Sequence, residues 1–217
     1  MRYVDIETWP RREHYKMFSG FNHPHFGLCA NVDVTQLRRY LRVHRHSFTM
    51  AIVYLIARAA NAIPEFRMRI RDAQVVEHEH VDPSFTIMTS EELFGFCTVR
   101  YLEEFPAFCS SAVEAMAEAK QHPNLQNPPG RDDLLYMTAM PWVAFTSLLH
   151  PMQQHPADSI PRFAFGKVFG DHEMRQMPLG VQGHHALMDG LHLGKFYTQV
   201  QDYLWHPDLV LSTKQQA

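Results

Sequence analysis

The sequence predicts an α/β (α+β) sandwich, a mixed sheet covered by helices. Three observations predict it. Residues 49–62 are strongly apolar with large side chains at helical spacing. Seven short β-rich segments are interspersed with helical ones. And 46% of the 217 residues are hydrophobic, an ordinary fraction for a globular core.

Residues 34–44 read as an amphipathic helix. In 49–62, Ile52, Val53, Leu55, Ile56, Ala59 and Ala60 recur at helical spacing and Pro64 follows as a stop, which predicts a buried helix. Strands are expected at 66–70, 74–80, 84–88 and 94–99, where β-branched and aromatic residues concentrate. Phe105–Gln121 reads as a helix with Pro106 tolerated in its first turn, and the Pro-rich 122–130 as a loop. Further strands are expected at 134–140, 162–168 and 179–185, and a last helix at 190–205. No internal repeat or low-complexity linker interrupts the pattern, so residues 1–217 are expected to form a single domain.

The net charge of −3 offers no basic field for a phosphate backbone, which argues against nucleic acid as a partner. Cys29, Cys97 and Cys109 are odd in number and lack CxxC spacing, which fits a reducing compartment. The first residues lack an apolar signal-like core, and the longest apolar runs, such as 50–56, fall short of a bilayer crossing; a cytoplasmic, unanchored protein is expected. Fifteen histidines, with the pairs His23/His25 and His78/His80, raise a metal reading, yet the expectation is that no metal is required.

The most informative string is Val181-Gln-Gly-His-His-Ala-Leu-Met-Asp-Gly190, an apolar strand ending in two histidines, then an aspartate, a glycine and a helical pattern. A structural reading makes Asp189 the N-cap of the last helix and Gly190 an easy turn. A functional reading places a histidine at a strand-to-helix corner, poised as a base near neutral pH. The complete HHxxxDG string is far more specific than a lone HxxxD.

Here the sequence resembles the chloramphenicol acetyltransferase family, type A, whose signature is HHxxxDG. Trp9-Pro-Arg-Arg-Glu-His-Tyr15, Tyr54-Leu-Ile-Ala57, Phe66-Arg-Met-Arg-Ile70, Val81-Asp-Pro-Ser-Phe-Thr86 and Ala139-Met-Pro-Trp-Val143 are similar to family segments in the same order and span nearly the whole chain. The resemblance implies a two-layer sandwich with a mainly antiparallel sheet, acetyl-CoA as co-substrate, a chloramphenicol hydroxyl as acceptor, and a homotrimer with interfacial sites. It implies His185 as general base beside a non-catalytic His184, and an architectural pair of Asp189 with Arg11. It places Thr138 where the family has the serine that stabilises the oxyanion, and Ala164 where it has a second, water-holding hydroxyl. Phe18, Phe26, Phe94, Phe96, His150 and Met152 correspond to the acceptor pocket, with Phe18 in place of a tyrosine and His150 in place of a leucine. Trp142 falls on the cofactor side. Two other readings stay open: acetyl transfer to a different small alcohol, and a non-catalytic binding protein on the same fold.

Overall fold

A computed structural model describes residues 1–89, 92–126, 130–153 and 156–212. In chain order the elements are β1 (Arg2–Tyr3), α1 (Arg12–Ser19), β2 (His25–Asp33), α2 (Thr35–His44), α3 (Phe48–Asn61), a 3-10 turn (Pro64–Arg67), β3 (Met68–Arg71), β4 (Gln74–Glu77), β5 (Asp82–Met88), β6 (Phe94–Thr98), α4 (Phe105–Gln121), β7 (Leu134–Met140), β8 (Arg162–Gly166), β9 (Phe169–Gly170), β10 (Arg175–His184), α5 (Gly190–Trp205) and α6 (Pro207–Leu211).

The main sheet runs β2-β10-β8-β7-β5-β6, with β9 paired to β10. Strands β5, β7 and β8 run parallel; the other pairings are antiparallel. Alternation sends Phe85, Met137, Phe163, Leu179 and Val181 to one face, where they join the buried residues of α3 to α5 in one core. Thr138, Ala164, Gly180 and Gln182 therefore belong to the opposite face, where the segment after β7 lays Phe145 beside Gly166 and Gly180. The result is the two-layer, mixed and mainly antiparallel sandwich that the sequence predicts. No helix among the described residues is long and apolar enough to cross a membrane.

The predicted helices lie where expected, with α3 begun by Ser47 Oγ accepting from the Met50 N–H at 3.4 Å. Other expectations need correction. Residues 25–33 were not expected as a strand, yet β2 forms there, because β10 supplies a full antiparallel edge that compensates for the weak side chains of Gly27, Ala30 and Asn31. Of the strand expected at 66–70, Phe66 and Arg67 belong to the 3-10 turn and β3 starts at Met68, since Pro64 sets up a tight turn rather than an extended start. The strand at 74–80 stops at Glu77. The last strand starts at Arg175, before Pro178; that proline lies beyond the β8 register, where its missing N–H breaks no bond to β8. Within the expected 122–130 loop, residues 127–129 lie outside the described ones.

A second, smaller sheet, β1-β4-β3, packs with α1 over its own apolar cluster. Tyr15, Met68 and Val75 meet Ala186 and Leu187 there, joined by Trp9 and Phe18. The turn of the HHxxxDG string is thus anchored in apolar packing on the side away from the main core.

Candidate active site

β10 delivers His184 and His185 to its C-terminal end, and Asp189 opens α5 four residues later. The Asp189 carboxylate accepts from the Leu191 N–H at 3.0 Å, while His192 Nδ1 accepts from the Asp189 N–H at 3.0 Å, a closed capping box. The structural reading of Asp189 is therefore realised, and it leaves the second carboxylate oxygen free. Arg11 takes it: Nη1 donates to Asp189 Oδ2 at 2.6 Å, Nη2 to the His185 carbonyl at 2.9 Å, and Nε to the Ala186 carbonyl at 3.1 Å. One guanidinium thereby closes the 185–189 turn on three sides. Burial alone would raise the Asp189 carboxyl, but the Arg11 hydrogen bond and the nearby His192 outweigh it and hold it below the usual carboxylate range.

His185 is held through its backbone, its Nδ1 and both ring faces. Its backbone N–H donates to the Pro24 carbonyl at 2.7 Å. Its ring centroid lies 3.9 Å from that of Phe18, stacked and nearly parallel at 4°, and 4.4 Å from that of Phe26 on β2. Nδ1 lies 3.1 Å from the Met188 carbonyl oxygen. A carbonyl oxygen can only accept, so in the neutral ring the proton sits on Nδ1 and Nε2 keeps its lone pair. His184 is different: its Nδ1 accepts from the Ala186 N–H at 3.2 Å, and burial, reinforced by His25, pushes it down to about 4.

Thr138 lies elsewhere on the sheet. It pairs with Ala164, which pairs with Gly180, and His185 is five residues further along that chain. Steps of about 3.3 Å along the strand and two sideways steps of about 4.8 Å put Thr138 roughly 19 Å from His185. Around Thr138 stand other predicted residues. Phe96 pairs with Thr86, one step past the last β5–β7 register pair, Phe85 with Met137, so Phe96 lies level with Thr138 two strands away, and the Phe94 ring is 5.9 Å from that of Phe96. His150 Nε2 is 3.3 Å from the Thr138 hydroxyl. Half-buried Met152 follows on the same segment, and Trp142, 63% exposed, stands on the turn after β7.

The predicted residues therefore form two groups. Arg11, Phe18, Phe26, His185 and Asp189 meet at the end of β10; Thr138, His150, Phe94 and Phe96 gather in mid-sheet. Sequence reasoning missed Gln182, whose side-chain oxygen accepts from both the backbone N–H and Nδ1 of His150 at 2.9 and 2.8 Å. Its signal was alternation: Gln182 shares a face of β10 with Gly180, not with the apolar Val181. Of the histidine pairs, His78 lies 2.9 Å from Asp132, and His25 donates to the Asp158 carbonyl. Among the described residues no group of three or more His, Cys, Asp or Glu is placed to hold a metal ion.

The fold is one that acetyltransferases share. A solved chloramphenicol acetyltransferase superposes with a TM-score of 0.84 at 27% identity, over 94% of this chain and 99% of the other. The dihydrolipoamide acetyltransferase of Azotobacter vinelandii superposes at 0.68 over 91% and 88%, at 14% identity, a likeness of fold alone. The family model for chloramphenicol acetyltransferase matches residues 1–201. An Escherichia coli chloramphenicol acetyltransferase is 30% identical over 92% of each chain, and a chloramphenicol acetyltransferase 2 from Escherichia coli is 31% identical over 91% of this chain and 94% of its own. The chain belongs to the chloramphenicol acetyltransferase family and is an acyltransferase of that type.

Proposed function

We propose that the protein transfers the acetyl group of acetyl-CoA directly to a hydroxyl of chloramphenicol, working as a single domain in the cytoplasm and as a homotrimer. The observation that carries this reading is the His185 ring, sandwiched by Phe18 and Phe26 and holding its proton on Nδ1. A base of that form accepts the proton of an alcohol on Nε2 as the oxygen attacks the thioester carbonyl. No free alkoxide forms, and general-base help of this kind supplies roughly 10²- to 10⁴-fold. The C–S bond breaks as the tetrahedral adduct collapses, and the proton held by His185 returns to the departing sulfur.

The adduct carries a negative oxygen, and in this reading the Thr138 hydroxyl faces it. Since Thr138 and His185 of one chain stand far apart, the Thr138 group is supplied by a neighbouring copy. That requirement supports an oligomer with interfacial sites; the number three rests on the family resemblance. Arg11 and Asp189 keep the turn that aims His185, and Trp142 stands on the acetyl-CoA side. The pocket wall comprises Phe94, Phe96, His150 and Met152, with Phe18 and Phe26 behind the base.

The test follows free thiol as wild-type and His185→Ala proteins meet acetyl-CoA with and without chloramphenicol. Chloramphenicol-dependent release that vanishes in the variant is the expected result; no release by wild type refutes chloramphenicol as acceptor. A second reading, the same transfer to another small alcohol, draws support from the polar His150 bonded to Thr138 and from Phe18, which has no hydroxyl to offer a substrate. A panel of hydroxyl acceptors that finds none better than chloramphenicol removes it.

A further inference from the structure

The atoms around His150 leave little freedom in where protons sit. A backbone N–H can only donate, so the Gln182 atom 2.9 Å from the His150 N–H is its amide oxygen. The same oxygen is 2.8 Å from His150 Nδ1, which must then carry the ring proton of the neutral form. That leaves His150 Nε2 as an acceptor, and the group 3.3 Å from it is the Thr138 hydroxyl. The Thr138 proton is thus directed at His150 in the resting protein. Burial, the largest influence, holds His150 below its ordinary value and so in the neutral form; the Gln182 bond opposes it, and Arg162, the neighbour of Gln182 on β8, acts in the same direction as burial. Ala164, paired with Thr138 on β8, offers no competing polar side chain.

A threonine has one hydroxyl proton. If it serves a developing oxyanion it must leave His150, and a half-buried imidazole acceptor then loses its partner. Resting on the reading that Thr138 faces the oxyanion, we infer that His150 is a specificity-determining positioning residue. Its Nε2 accepts a second, non-reacting hydroxyl of the acceptor alcohol, and that exchange releases the Thr138 proton to the reaction. The acceptor that His150 favours therefore carries two hydroxyls, one acetylated and the other donating to His150. No bond is made or broken by His150; it trades one donor for another.

The experiment compares chloramphenicol, which carries two hydroxyls, with its analogue lacking the one that is not acetylated. Wild-type protein is expected to lose roughly ten- to a hundredfold in kcat/KM with the analogue, with part of the loss in kcat, because the Thr138 proton stays with His150. His150→Leu frees that proton permanently, so its penalty for the analogue should shrink to less than about threefold. Gln182→Met, which unlocks the His150 tautomer, should shrink it too and serves where His150→Leu fails to fold. Equal penalties in wild type and variant overturn the inference while acyl transfer stands. Absence of thiol release from wild type with either alcohol overturns both.

Discussion

Three imidazoles on one turn and the helix after it show how backbone geometry decides chemistry. His184 and His192 both spend Nδ1 as an acceptor from a backbone N–H, and His192 thereby turns Nε2 toward Glu65 at 3.3 Å. His185 spends Nδ1 as a donor to a carbonyl and keeps a bare Nε2. The neighbouring carboxylate can be probed without touching that ring. Asp189→Asn keeps the shape of the cap but removes the charge that Arg11 pairs with, leaving a largely buried guanidinium held by two carbonyls. We expect a loss of about 1–3 kcal/mol in stability at neutral pH, with reduced activity. The pH dependence has a definite sign. Because the folded-state pKa of Asp189 is depressed, its contribution is present above the unfolded carboxylate value near 4, and is lost as pH falls through the lower folded value. Thermal melts of wild type and Asp189→Asn should therefore differ at pH 7 and converge in acid; a constant gap contradicts a role for the ionised pair.

At the scale of elements, α5 carries an exposed Gly194 in its interior, with open space around the position a Cβ would occupy and no positive φ. Gly194→Ala should stabilise the protein by roughly 0.5–1 kcal/mol, seen as a higher Tm, since alanine has less unfolded-state freedom to lose. A lower Tm shows that this surface of α5 is packed against something. How well each element could be read from sequence follows from where its information lies. The helix α3 was legible because residues 50 to 57 are all buried and only an apolar helix fits there; β7 and the HHxxxDG string were legible for similarly local reasons. The strand β2 was not, because its stability comes from β10, about 150 residues away in sequence, and glycine and asparagine weaken its own pattern. Arg69 is the sharpest case. Phe66-Arg-Met-Arg-Ile70 reads as a strand, yet Arg69 is 0% exposed and donates to the carbonyls of Phe66, Met68, Asp132 and Leu134. Two of those acceptors, Phe66 and Met68, are local, but Asp132 and Leu134 arrive with β7 and the residues just before it, more than 60 positions on, so no local signal announces the full set. The His150–Gln182 contact escaped for the same reason: it joins a loop to a strand 32 residues on, and neither residue is unusual alone.

The whole-molecule question is how two halves of a site come together. His185 at the end of β10 and Thr138 on β7 are each well placed for part of the proposed reaction, yet the sheet register holds them roughly 19 Å apart in one chain. A rigid sheet does not fold that distance away, so a second copy must present Thr138 to His185 if both act on one substrate. This can be tested without a structure of the assembly. His185→Ala and Thr138→Ala proteins are each expected to be nearly inactive. Unfolded together at equal amounts and refolded, random mixing joins an intact His185 to an intact Thr138 at about one interface in four, so about a quarter of wild-type activity should return. The two variants mixed after folding, without exchange, should stay inactive. Failure of the co-refolded sample to gain activity, with oligomers formed as judged by sedimentation, means that the two residues do not act on one substrate across an interface, and the assignment of Thr138 as oxyanion donor falls with it.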